Sequence, residues 1–82
     1  MNYEVEFKPR SAKDLDALPV SAKQSLISKI EALQTDLTGD VKKLTNFTPE
    51  YRLRVGEYRV LFEVDGDKIV IYRVLHRKDA YK

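Results

Sequence analysis

Residues 51–74, YRLRVGEYRVLFEVDGDKIVIYRV, alternate apolar and polar side chains through three runs that are broken at Gly56-Glu57 and Asp65-Gly66. Successive side chains on a strand point to opposite faces, so this alternation makes a sheet with one apolar and one polar side. A glycine beside an acidic residue between such runs is the chemistry of a two-residue hairpin turn. The stretch therefore predicts a three-stranded antiparallel meander with strands at 51–55, 58–64 and 68–75. Tyr51, Leu53, Val55, Tyr58, Val60, Phe62 and Val64 fall on its apolar side. A small sheet with one apolar face is not stable in water until something covers that face.

The first fifty residues supply the cover. Tyr3, Val5 and Phe7 alternate with Glu4 and Glu6, which predicts a first strand over 3–7. A short helix follows in SAKDLDALP, with Ser11 placed to cap it three residues before Asp14 and with Leu15 and Leu18 at helical spacing. Pro19 ends that helix and fits the first turn of the next, whose apolar stripe is Leu26, Ile27, Ile30, Leu33 and Leu37, with Gly39 as its stop. Residues 40–50 hold no sustained period and contain Pro49, so they read as a connection with Leu44 and Phe47 tucked against the core. The fold class is α+β: an N-terminal strand, a helical hairpin and a three-stranded meander, in a single domain over 1–82 with the helices on one face of the sheet.

A chain of 82 residues builds one thin core, and with no cysteine it has neither disulfides, thiolate nucleophiles nor Cys-based zinc sites. The opening MNYEVEFKPR lacks the apolar segment of a signal peptide, and no run is long and apolar enough for a membrane helix. The expectation is a soluble, cytoplasmic protein without metal or organic cofactor. Charge is uneven: residues 1–50 carry seven Lys/Arg against eight Asp/Glu, and residues 51–82 carry eight against five. The positive excess lies on the meander, where a polyanion is a natural partner.

A two-residue turn at Gly56-Glu57 sets Val55 opposite Tyr58, Arg54 opposite Arg59, Leu53 opposite Val60 and Arg52 opposite Leu61. Arg54 and Arg59 become direct cross-strand neighbours, an arrangement that costs about 0.2–1 kcal/mol in repulsion and brings nothing to folding. With the second turn at Asp65-Gly66, the same face continues through Val70, Tyr72, Val74 and His76, while Arg73 takes the parity of the core face and snorkels at its rim or pairs with a carboxylate. A solvated sheet face accounts for such a surface, and so does an anion site. Arg52, Arg54 and Arg59 present planar, permanently charged forks that suit phosphate oxygens. An RNA or DNA backbone is the obvious anion. Tyr72 is placed to stack a base or to fill the sheet, and Lys42 and Lys43 to touch RNA or sit in a solvated loop.

The run YRLRVGEYRVLFEVDGDKIVIYRVLHRKDAYK resembles the C-terminal half of the RelE/ParE superfamily of toxins, and the strand and helical pair before it are similar in layout. The resemblance to the RelE-like branch implies the toxin of a type II toxin–antitoxin system, a metal-independent endoribonuclease that cuts messenger RNA on the ribosome and arrests translation and growth. It implies that Arg52 and Arg54 contact the message, that Arg59 stabilises the scissile phosphate, and that Arg77 and Tyr81 complete the site, with His76 a further candidate for general acid. Attack of a 2′-oxygen on the adjacent phosphorus needs a base, an acid for the leaving 5′-oxygen and positive charge for the phosphorane. Arginines supply the charge; base and acid stay open among His76, Tyr81 and a group on the ribosome. The implied partners are a cognate antitoxin, in a toxin–antitoxin hetero-oligomer, together with the ribosome and mRNA, and no membrane. Two departures stand out: arginine replaces lysine at positions 52 and 54, and no long C-terminal helix follows. The alternatives are a ParE-like inhibitor of DNA gyrase, and an inactive relative that binds only RNA or an antitoxin.

Overall fold

The computed structural model describes residues 2–35, 37, 41–44 and 49–80. Strand β1 (Glu4–Phe7) leads into helices α1 (Pro9–Asp16) and α2 (Val20–Ala32), and strands β2 (Val41–Lys43), β3 (Tyr51–Val55), β4 (Tyr58–Asp65) and β5 (Lys68–His76) follow. The five strands form one sheet in the order β1-β5-β4-β3-β2. β1 runs parallel to β5 and every other pairing is antiparallel. The expected strand, helical hairpin and meander are all present, on the expected α+β plan.

Leu15 of α1, Leu26 and Ile30 of α2 and the adjacent Leu33 meet Leu53, Val60, Phe62, Ile69, Ile71 and Val74 in a single buried cluster. Phe62 is fully enclosed and stacks on Tyr51 with ring centroids 5.4 Å apart. Each such side chain stabilises the fold by about 1.5–3 kcal/mol through burial. Tyr51, Val55, Tyr58 and Val64 pack around the cluster as the alternation predicts.

Several local expectations are corrected. Helix α1 begins at Pro9, whose missing N–H is no loss in a first turn, so Lys8 occupies the cap position. Ser11 is inside the helix and fully buried, its Oγ donating to the Lys8 carbonyl at 2.7 Å. Helix α2 stops at Ala32 because the amides of Leu33 and Gln34 turn back to Ile30 and Glu31, and the Gln34 carbonyl then accepts from the amide of Tyr3, the residue just before β1, at 2.8 Å. Leu37 packs on the core from beyond the helix, and Gly39 and Phe47 lie outside the described residues. The connection at 40–50 contains a strand: Val41, Lys42 and Lys43 pair with Leu53, Arg52 and Tyr51. Three residues are too few to show a period, and only the partner strand reveals them.

The last hairpin also differs. Its turn is Gly66-Asp67 rather than Asp65-Gly66, which puts Gly66 at φ 62° and lets Asp65 face Lys68 across the closing pair. A β-bulge then shifts the register between Leu61 and Phe62: Phe62 faces Ile71, Leu61 faces Arg73, and Tyr72 is the extra residue. An odd residue in one strand reverses the facing of everything beyond it. Val74 consequently enters the core and Leu75 takes the place opposite Arg59.

Candidate functional site

Residues on the polar side of the sheet are fixed by these registers. Arg54 faces Arg59, Arg52 faces Leu61, and Lys42 of β2 faces Arg52 from the other side. The arginine face foreseen from the sequence thus exists, and Lys42 joins it. Leu61 is only 4% exposed although the helical residues of the core lie on the opposite face. Its cross-strand neighbours are Arg52 and Arg73, and long arginine stems cover apolar surface in this way while their charged heads stay outside. Arg52 is half-buried with its Nε sheltered from solvent, and Arg54 is exposed.

Arg59 is held at the end of the hairpin. Its Nη1 donates to the carbonyls of Gly56 at 2.9 Å and Tyr58 at 2.8 Å. Those carbonyls carry partial negative charge beside the guanidinium, which offsets the repulsion expected from Arg54. The turn that accepts these bonds depends on Gly56, whose φ of 57° is a conformation that side chains with a Cβ resist. The same turn binds the segment after β5: the Glu57 carbonyl accepts from the Arg77 amide at 2.7 Å, and the Glu57 carboxylate lies 3.3 Å from His76 Nε2.

His76 is not on the arginine face. The bulge at Tyr72 turns it to the side of Tyr58, its cross-strand partner, whose ring it meets edge-on with centroids 5.8 Å apart. The Lys78 amide donates to His76 Nδ1 at 3.2 Å, so in the neutral ring the proton sits on Nε2 and points at Glu57. Both ring nitrogens are engaged by the protein. Arg77 is exposed in the turn that follows, and Tyr81 lies outside the described residues.

The other basic and aromatic residues sort themselves by partner. Arg73 binds Asp14 of α1 through Nε at 2.8 Å and Nη2 at 3.1 Å, and the Val74 amide donates to the same carboxylate at 3.0 Å. Burial pushes the Asp14 carboxyl up, but the hydrogen bonds from Arg73 and Val74 and the charges of Arg73 and Arg10 more than offset it, leaving its pKa below the ordinary 3.8. Arg73 is a structural clamp on the free edge of β5: the carboxylate pairing allowed for it is present, but the bulge sets it opposite Leu61 and not on the core face expected from the sequence. Tyr72 donates to Glu63 at 3.4 Å, and the charge of Glu63, then burial, that hydrogen bond, and the charges of Asp65 and Glu6 raise its hydroxyl above the ordinary 10.0. It belongs to an acidic neighbourhood. Lys43 is engaged by Glu50 at 3.7 Å and sits over the Tyr51 ring at 6.0 Å.

Sequence reasoning missed Glu57 and left Lys42 between an RNA contact and a solvated loop. Lys42 needed β2, which only its pairing shows; Glu57 could have been noticed from its place in a two-residue turn beside the end of the last strand.

Residues 5–81 match the family described as the ParE toxin of the type II toxin–antitoxin system, parDE. The toxin RelE3 of Methanocaldococcus jannaschii is 40% identical over 83 residues, which cover 95% of this chain and 94% of that protein. Among solved structures, the RelB-RelE antitoxin–toxin complex from Methanococcus jannaschii is similar with a TM-score of 0.77 at 38% identity, covering 93% of this chain and 94% of the matched one. The archaeal RelE-RelB complex from Pyrococcus horikoshii OT3 is similar with a TM-score of 0.81 at 27% identity, covering 98% and 100%.

Proposed function

The chain belongs to the RelE/ParE family of type II toxin–antitoxin toxins, and we propose that it is a ribosome-dependent endoribonuclease that cuts messenger RNA and halts translation. The observation that carries this reading is the register that sets Arg54 against Arg59, with Arg52 two residues away on the same face. Like charges set face to face oppose folding, and the surface suits a phosphate backbone. The RelE names of the similar proteins favour the same reading.

In the proposed reaction the ribose 2′-oxygen attacks the adjacent phosphorus as its proton leaves to a base, the bond to the 5′-oxygen breaks, and an acid protonates that oxygen. Arg52 and Arg54 hold the message. Arg59, already anchored to the turn through Nη1, directs its remaining donors at the developing phosphorane and needs little reorganisation to do so. Arg77 adds charge from the neighbouring turn, and Tyr81 shares the acid and base roles with a group on the ribosome. His76, with both nitrogens committed, is a positioning residue that pins the turn carrying Arg77. The similar RelB-RelE complexes support a cognate antitoxin as the partner that silences the chain.

One observation favours a second reading: the matching family is described by its ParE toxin, so inhibition of DNA gyrase is the competitor. Induction in growing bacteria with transcript 5′-ends mapped separates the two. Cuts within translated frames support the ribonuclease; intact messages with a gyrase-linked DNA-damage response support the inhibitor.

A further inference from the structure

The polar face of the sheet is electrically divided. One half, spanning β2, β3 and the start of β4, presents Lys42, Arg52, Arg54 and Arg59. The other half, where β1, β5 and the end of β4 meet, presents Glu4, Glu6, Glu63 and Asp65 against Lys68 and the Lys8 ammonium, which lies 5.6 Å from the Tyr72 ring centre. Neighbouring strands are about 4.8 Å apart and alternate residues on one strand about 7 Å apart, so the four cations form a patch only two residues wide. Within a Debye length of about 10 Å at 0.1 M salt, a polyanion on this face feels attraction on one side and repulsion on the other.

The pair Lys42-Lys43 is divided in the same way. Lys43 is committed to Glu50 and Tyr51 on the side opposite Arg52. Lys42 is exposed, stands beside Arg52 in register, and among the described residues no ion pair holds it. Val41 fixes this choice of sides by packing on the core opposite Leu53.

We propose that Lys42 extends the arginines into a track for the RNA backbone that runs across β2, β3 and the start of β4, and that the acidic half of the face keeps the message off β5 and β1. This rests on the ribonuclease reading and adds the path of the substrate to it. Tyr72 then stacks no base, because the acidic half that holds it repels the flanking phosphates.

The test is binding of a fluorescein-labelled single-stranded oligoribonucleotide, 2′-O-methylated throughout so that it cannot be cut, measured by anisotropy over a range of salt. Each phosphate contact on a single strand contributes about 0.7 to the slope of log K against log salt. Lys42→Gln is expected to lower the slope by about 0.7 with an unchanged melting temperature, Lys42→Arg to restore it, and Lys43→Gln to leave it alone. Glu63→Gln, which removes one of the repelling charges, is expected to tighten binding, most at low salt. A Lys42→Gln slope equal to wild type, alongside slopes that fall in Arg52→Gln and Arg54→Gln, overturns the inference and leaves the ribonuclease reading standing. Affinity left unchanged or weakened by Glu63→Gln at low salt likewise overturns the path. Absence of any salt-dependent binding by the wild-type protein overturns the inference, while cleavage on programmed ribosomes tests the reading separately.

Discussion

Asp14→Ala removes the clamp between α1 and the edge of β5. Three hydrogen bonds end on this carboxylate, two from Arg73 and one from the Val74 amide, and the side chains of Arg73 and Asp14 are 29% and 16% exposed. A fully exposed ion pair is worth about 0–1 kcal/mol and breaking a buried one costs about 3–5 kcal/mol. The bidentate, half-sheltered geometry lies between, and the amide left without its acceptor adds to the loss. The expected destabilisation is about 2–3 kcal/mol, or roughly 10–20 °C in melting temperature for a domain of this size. Urea unfolding followed by circular dichroism at neutral pH measures it. The pH dependence supplies an independent check. Because the folded pKa of Asp14 is depressed, its contribution is complete above the unfolded value and is lost as pH falls through the folded value, below 3.8. The gap between wild type and Asp14→Ala therefore narrows as pH falls below about 4. A change under about 0.5 kcal/mol at neutral pH, or a gap that stays constant down to pH 3, refutes the clamp.

Two further outcomes follow from the hairpin turn. Gly56→Ala finds open space for its methyl group, so its cost is the left-handed backbone alone, about 1–2 kcal/mol, read as a lower urea midpoint. His76→Leu removes the acceptor for the Lys78 amide; faster hydrogen exchange at that amide is expected, with cleavage reduced less than by loss of Arg59, and unchanged exchange contradicts the positioning role.

Where the sequence was legible, a period was long enough to read. The alternation over residues 51–64 gave the hairpin register residue for residue, and with it the pairing of Arg54 and Arg59. The helical spacing of Leu26, Ile30 and Leu33 gave the side of α2 that meets the sheet. The last strand misled because its alternation was assumed unbroken. Its core residues are Ile69, Ile71 and Val74, and the step of three between the last two is the trace a bulge leaves in the sequence. That one residue moved His76 away from the arginines. β2 was illegible for a different reason: its contribution to the core is Val41 alone, and its pairing is decided by β3.

Arg59 is the residue on which the proposed cleavage depends most directly. Replacing it with alanine removes the donors proposed for the developing phosphorane, with an expected loss of about 2.7–4 kcal/mol of transition-state stabilisation, or roughly 100-fold or more in rate. It also removes the two bonds to the turn, so stability falls modestly, by about 0.5–1.5 kcal/mol for hydrogen bonds of this kind. The decisive measurement is cleavage of a defined message on programmed ribosomes by wild type and Arg59→Ala, at a temperature where both are folded by circular dichroism. Wild type is expected to cut within the translated frame and the variant to lose roughly 100-fold or more; cleavage by folded Arg59→Ala at the wild-type rate contradicts the role proposed for Arg59.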